Sequence, residues 1–555
     1  MKFIHYIFLI SIGLIFHILF GYSILDTYYN FSLNYGMTPH SSNLSEFEIP
    51  SNRIVLFILD GSRADTFFDA ISRGKTPYLR DIIENRGVYG ISFTKVPTES
   101  LPCFTAIFSG HFQDGSLALR HLYNIPILTD TILNQSDYSW GIGHMANHLK
   151  KMAKKLEIIK KKEIFKPKIN GSYNFEVCET MVDYLEKAKK NNKSENYKKL
   201  FKNKIIFMLH LDETDDLGHD YGPTSDIMIN HHIQMNSYYE KVENAFYDFY
   251  HDNKTTFIIT SDHGMNPGYH GDDTPECKRN PFVAWGAGIR KAIYREQKPI
   301  EEDTPSEWGL DNVSRSDIMQ IDIAPLSAGL LGINFPINSF GRVPYDILNV
   351  SEKIKSKILF GNMMEIIETY NIKISNRSKS VFFIPYKPLN NYKNKIDDIQ
   401  KDINNKNYID AINKTNILIN TTLDGIDYVW RYDRPFLKSI ITTGYILWML
   451  FLFVFLEMKN DNNLNKFFCY NSDKNKTNIF SGIITLFLLI YLFLRISPLS
   501  YYLYTLFCCY FFWRIISNIE YLQLFFVKTS DVKTFFINLF IFIFVIISFF
   551  YMVSI

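Results

Sequence analysis

Three short apolar runs in the first half of the sequence each lead into residues that can ligate a metal. The run Arg53-Ile54-Val55-Leu56-Phe57-Ile58-Leu59 stops at Asp60-Gly61, and the run Lys204-Ile205-Ile206-Phe207-Met208-Leu209-His210-Leu211 leads to Asp215-x-x-x-His219. The third, Thr255-Thr256-Phe257-Ile258-Ile259-Thr260, gives Ser261-Asp262-His263-Gly264 and then Tyr269-His270-Gly271. Zinc takes imidazole nitrogen and carboxylate oxygen in sets of three or four and leaves a position for substrate, so this inventory fills two sites at about three protein ligands each. Two such ions ~4 Å apart stabilise both the attacking and the leaving oxygen in an in-line displacement at phosphorus. A phosphate or sulfate ester suits that chemistry. Singly, the residues have plainer readings: Asp60 before Gly61 as a turn or helix cap, Asp215 and His219 as a solvated pair on one helix face. Asp262-His263-Gly264 resists such a reading, because two adjacent metal-competent side chains end an apolar strand and Gly264 permits a tight turn.

Transfer through a covalent intermediate needs a nucleophile. Val96-Pro97-Thr98-Glu99-Ser100-Leu101-Pro102 offers two hydroxyls between prolines, Thr98 and Ser100. A hydroxyl beside zinc loses its proton near neutral pH and needs no neighbouring base. Either residue also fits a helix N-cap, and a helix amino end itself favours phosphate.

The elements that must position these residues follow from the pattern. Near-continuous apolar runs mark strands buried on both faces, and the mixed stretches between them, 173–190 and 236–250, have helical character. The expected fold is α/β: a central, mostly parallel sheet flanked by helices, which binds ligands beyond the carboxyl ends of its strands. The Lys/Asn-rich stretches 187–204 and 389–407 read as solvated loops.

The chain has 555 residues, 47% of them hydrophobic, and the long apolar stretches gather at its two ends. Residues 3–25, after Lys2, are long enough to cross a bilayer as a signal anchor. A cleaved signal peptide is the alternative, with Gly21-Tyr22-Ser23 as a small-x-small site; both readings put the middle of the chain outside the cytosol. Four further spans are expected at 436–456, 479–494, 499–516 and 535–553. Lys459, Lys466, Lys474 and Lys476 in one connector, with Lys528 and Lys533 in another, assign those connectors to the cytosol. The expected organisation is an anchor at 1–25, a lumenal catalytic domain at 26–435 and a membrane domain of about four helices at 436–555. Sequons at Asn30, Asn43, Asn253 and Asn420 suit a lumenal compartment. With 59 basic and 57 acidic residues, no global field exists to attract nucleic acid. The six unpatterned cysteines exclude a disulfide-built fold.

Ile58-Leu59-Asp60-Gly61-Ser62-Arg63-Ala64-Asp65, the 96–100 segment and Thr260-Ser261-Asp262-His263-Gly264-Met265 resemble, in order and spacing, the GPI ethanolamine phosphate transferases of the alkaline phosphatase superfamily. Tyr35-Gly36-Met37-Thr38-Pro39, Trp285-Gly286-Ala287-Gly288-Ile289 and Gln320-Ile321-Asp322-Ile323-Ala324-Pro325-Leu326 bring the resemblance closest to the type 1 members, over about residues 1–455. It implies an alkaline-phosphatase-like fold in which Asp60, Ser100, Asp262 and His263 surround one Zn2+ (or another divalent metal) and Asp215, His219 and His270 hold a second. It favours Ser100 over Thr98 as nucleophile. The implied reaction moves phosphoethanolamine from phosphatidylethanolamine, through Ser100, to the first mannose of a GPI precursor, in the lumen of the endoplasmic reticulum. A hydrolase of the same superfamily and an idle GPI-assembly subunit are the alternatives. The sequence departs from the type 1 pattern at Leu101-Pro102-Cys103-Phe104, at Asp220-Tyr221, and in a shorter stretch of membrane spans.

Overall fold

The computed structural model describes residues 2–28, 37, 49–113, 129–159, 172–297, 308–460 and 475–521. The sequons at Asn30 and Asn43, most of the 35–39 segment, the lysines at 466, 474, 528 and 533, and the 535–553 span lie outside them. The chain divides into two compact units, one of residues 31–372 and 388–425, the other of 1–30, 373–387 and 426–555.

The first unit is built on one eight-stranded sheet. Its strands are β1 (Arg53–Leu59), β2 (Gly87–Phe93), β3 (Tyr138–Ile142), β4 (Leu156–Ile158), β5 (Ile205–Leu211), β6 (Thr255–Ser261), β7 (Arg279–Gly286) and β8 (Ile318–Met319). Their spatial order is β4-β3-β5-β1-β6-β7-β2-β8, and β7 alone runs against its neighbours, so the expected mostly parallel α/β sheet is present. The three apolar runs form adjacent central strands, β5, β1 and β6, buried along their whole length. Alternation decides what each side chain meets. Ile54, Leu56 and Ile58 enter a cluster with Phe104, Phe108 and Leu326, while Val55, Phe57 and Leu59 enter one with Phe68, Met181 and Tyr239. Two apolar layers, one per face, explain why a strand buried on both sides reads as a continuous run.

Helices Tyr173–Lys190 and Asp226–Tyr250 contribute to the second layer. The stretches read as loops are corrected in part. Glu195–Leu200 is a helix capped by Ser194, and Tyr392–Asn404 is a helix that buries Ile399 and Ile403. Spacing of three to four residues between isoleucines sets that helix, despite its Lys/Asn-rich composition.

Among the described residues of the second unit, four helices are long and apolar enough to cross a membrane: Lys2–Tyr28, Arg434–Asn460, Asn475–Leu494 and Leu499–Ile516. Aromatic rings fill its interior, Phe16 and Phe20 meeting Trp448, Phe511 and Tyr504. Gly444 makes room for them, since a Cβ there would stand 2.0 Å from the Phe20 ring.

Candidate active site and metal centre

The register of β1 against β5 and β6 aligns Leu59 with Leu211 and with Ser261, so three chains leave the sheet at one level. Asp60 and Asp262 follow directly, and the helix Glu213–Tyr221 carries Asp215 and His219 one turn apart. His270 arrives on the turn after β6. The structure thus brings together Asp60, Asp215, Asp262, His219, His263 and His270, with Ser100 among them. His263 Nε2 stands 3.3 Å from Asp60 and 3.7 Å from Asp262, His219 Nε2 is 3.5 Å from Asp215, and His270 Nε2 is 3.8 Å from Asp215. Two groups have donor atoms within 4.8 Å of one another, Asp215–His219–His270 and Asp60–Asp215–His263, with Asp215 common to both.

Backbone carbonyls fix the imidazoles. Nδ1 of His263 is 3.0 Å from the Gly264 carbonyl, Nδ1 of His219 is 3.2 Å from that of Gly268, and Nδ1 of His270 is 3.1 Å from that of Thr98. A carbonyl only accepts, so each Nδ1 carries the proton and each Nε2 turns a lone pair towards the carboxylates. The carboxylates have spare valence too. Asp262 Oδ1 accepts from the amides of Gly61 and His263, while Asp262 Oδ2 and Asp215 Oδ1 are buried and accept no hydrogen bond. Leaving buried acceptors unsatisfied is costly unless something occupies the space between them.

Charge tells the same story. Burial, and then the neighbouring Asp60, raise Asp262 well above the usual carboxylate range; the same causes bring Asp215 to about 6. Burial also raises Asp60, but the hydrogen bond from His210 and the nearby His263 outweigh it and hold Asp60 at about 2. Burial lowers His263 to about 4 and keeps it neutral. Three carboxylates and three imidazoles thus converge as a donor set suited to a divalent cation. Ligands ~2.0 Å from a tetrahedral ion lie roughly 3.3 Å from one another, close to the separations found here, so nitrogen and oxygen donors at these distances fit divalent zinc.

The two hydroxyls are placed differently. Ser100 is the first residue of the helix Ser100–Ser109, whose N-cap is Glu99, so the capping reading of Ser100 gives way to an N1 position. Its Oγ lies 3.4 Å from Asp60 Oδ1 and 3.4 Å from His263 Nε2. Thr98 is fully buried; its Oγ1 donates to the Asp272 carbonyl at 2.9 Å and accepts from the Gly271 amide at 3.0 Å. Thr98 holds the turn that carries His270. Gly264 also has a different use from the expected one: its φ is not positive, and it is small because the Glu276 carbonyl would lie 2.0 Å from a Cβ. Gly61 is the left-handed turn, at φ +65°.

Several residues around the site escaped the sequence reading. His210, fully buried, donates Nε2–H to Asp60 Oδ2 at 3.0 Å, while its Nδ1 faces the Met145 amide. A histidine inside an apolar strand was the available signal, since a buried polar group needs a partner. Gln320 donates to the backbone carbonyls of Ser261 and Asp262 and receives a bond from Thr94, pinning the end of β6. Asn174 bonds His231 and accepts from the Glu213 amide, and the Glu213 carboxylate accepts from the Asn174 amide. That reciprocal pair seats the helix bearing Asp215 and His219.

Comparison with known proteins adds identity to geometry. Residues 424–554 match the family described as Phosphatidylinositolglycan class N (PIG-N), and residues 122–298 match Type I phosphodiesterase / nucleotide pyrophosphatase. GPI ethanolamine phosphate transferase 1 of Homo sapiens is 32% identical over 89% of this chain and 55% of its own length, and that of Saccharomyces cerevisiae is 31% identical over 95% and 58%. A solved structure of an alkaline phosphatase superfamily protein from Vibrio parahaemolyticus aligns over 60% of this chain and 80% of its own, at 12% identity and a TM-score of 0.38. Over the region they share, this chain is similar to the GPI ethanolamine phosphate transferase 1 proteins, and it spans a little over half the length of these relatives.

Proposed function

We propose that this chain is a membrane-anchored, zinc-dependent transferase of the endoplasmic reticulum that moves phosphoethanolamine from phosphatidylethanolamine to the first mannose of a GPI precursor. The observation that carries the reading is the position of Ser100 Oγ, at a helix amino end and 3.4 Å from both Asp60 and His263, inside a cage of three carboxylates and three imidazoles. Asp60, Asp262, His263 and Ser100 would hold one Zn2+, and Asp215, His219 and His270 the other, with Asp215 close enough to serve both. Two ions bound there supply charge stabilisation for the entering and leaving oxygens at phosphorus.

The chain's own groups do the rest. Ser100 Oγ forms a bond to the donor phosphorus, the bond from phosphorus to the diacylglycerol oxygen breaks, and the serine proton leaves with that oxygen. The amide groups at the start of the Ser100–Ser109 helix favour the anionic phosphoryl group. A mannose hydroxyl then attacks the phosphoserine, the Oγ–P bond breaks and serine recovers its proton. Two in-line steps give net retention at phosphorus. His210 keeps Asp60 ionised and oriented through the bond at 3.0 Å.

Similarity of residues 122–298 to the phosphodiesterase family favours a second outcome, with water replacing the sugar. Purified full chain is supplied with ethanolamine-labelled phosphatidylethanolamine, with and without a mannosylated GPI acceptor. Label entering the acceptor in a zinc-dependent manner supports the proposal. Free phosphoethanolamine released at full rate without acceptor makes the protein a hydrolase. Absence of turnover together with absence of bound zinc after gentle purification makes it an idle assembly subunit.

A further inference from the structure

Between Lys379 and Lys387 the sequence reads Ser380-Val381-Phe382-Phe383-Ile384-Pro385-Tyr386. These residues belong to the unit that holds the long apolar helices, and they form no regular element. Val381 is 70% exposed, Ile384 60% and Phe382 44%, an unusual concentration for a segment facing water. Several of its backbone groups, by contrast, are paired. The Val381 amide donates to the Leu494 carbonyl at 3.2 Å. The Tyr432 hydroxyl donates to the Phe382 carbonyl and accepts from the Ile384 amide, and the Tyr428 hydroxyl donates to the Ile384 carbonyl at 2.9 Å. Val381, Phe382 and Ile384 are exposed while tyrosine hydroxyls engage three of the segment's peptide groups. Irregular backbone tolerates a low-dielectric medium only on that condition.

The exposed patch continues into a surface of the same kind. Phe382 packs at a tilt against Tyr491, with ring centres 5.2 Å apart, on the helix Asn475–Leu494, whose Phe487 and Phe493 are 69% and 73% exposed. Charge marks the level. Asp433 pairs with Arg377 at 2.6 Å and Arg495 at 2.5 Å, leaving a surplus positive charge beside the patch, and the two flanking lysines are exposed. Tyrosines beneath, cations at both ends and aliphatic tips outward are the composition of the boundary between acyl chains and phosphate headgroups.

We propose that residues 380–386 are a non-spanning insertion segment: Val381, Phe382 and Ile384 enter the bilayer at the depth of the upper acyl chains, while Lys379 and Lys387 meet lipid phosphates. The inference rests on reading the apolar helices as membrane spans. The test uses the full chain in phospholipid nanodiscs, with an environment-sensitive fluorophore placed separately through Ile384→Cys, Val381→Cys and Phe487→Cys, and with the unsubstituted chain as label blank. Lipids brominated near the headgroup end of the acyl chain should quench positions 384 and 381 about twofold, and aqueous iodide should leave them nearly unchanged. Quenching at 487 with none at 381 or 384 overturns the insertion segment and leaves the spans standing. Lack of quenching at all three overturns the spans themselves. Shielding of 381 and 384 from both quenchers, with 487 quenched by lipid, assigns the patch to a protein partner and also overturns the proposal.

Discussion

Thr98 and Ser100 are two residues apart and equally good candidates by composition, yet their surroundings separate them. The threonine hydroxyl is occupied on both sides by the turn bearing His270, and the serine hydroxyl faces Asp60 and His263. Ser100→Ala should therefore reduce turnover by at least about 10³-fold while two zinc ions remain bound, as read by kinetics and metal analysis together. Thr98→Val should lower zinc retention and activity together, because it loosens His270 without removing the nucleophile. Full activity in the first variant with its loss in the second would reverse the assignment. His232 supports a pH prediction. Burial holds it at about 3, against about 6.5 when unfolded, and its Nε2 lies 3.3 Å from Ser62 Oγ. Between those values the unfolded chain binds a proton that the folded chain does not. The stability contributed is complete above pH 6.5 and declines on acidification towards 3, by up to about 1.4 kcal/mol per pH unit. Thermal unfolding compared at pH 7 and pH 5 should show a smaller acid loss in His232→Phe than in the unsubstituted chain, and an unchanged loss would remove His232 from the account.

Elements explain what the sequence could and could not disclose. Strand ends were legible because β1, β5 and β6 are apolar on both faces, and their polar terminators stand out against that background. The partners of those terminators were not, since they depend on register. His210 pairs with Ile58 across β5 and β1, and only that alignment turns its ring towards Asp60. Gln320 reaches the end of β6 from 58 residues away, beyond any local pattern. Asn174 is a similar case, at the start of the helix Tyr173–Lys190, which the sequence outlines without assigning it a task. Its reciprocal bonds with Glu213 fix where the helix Glu213–Tyr221 begins, and so where Asp215 and His219 point. Asn174→Ala should weaken the retention of one zinc ion by about 10-fold or more and affect the other less. Chelator titration with metal counting reads this directly; equal loss of both ions would indicate a general defect of folding instead.

For the whole molecule the open question is which side of the membrane holds the sheet. If the four apolar helices cross in succession, Lys2, Lys459, Lys476 and Arg514 lie at one face and Asp26, Arg434 and Arg495 at the other. Basic residues therefore occur at both faces, and the count within the described residues decides less than the positive-inside rule would like. Arg495 shares Asp433 with Arg377, and Arg431 pairs with Asp427, so part of the positive charge at the second face is compensated. A lumenal sheet is the orientation expected if the face of Lys2, Lys459, Lys476 and Arg514 is the cytosolic one. The exposed sequon at Asn253, just before β6, agrees with that orientation. In sealed microsomes, protease added outside should cut the connector 461–474 and spare residues 49–372 until detergent is added. Degradation of the 49–372 region in intact vesicles would invert the topology, and with it the access of the Ser100 site to a lumenal glycolipid.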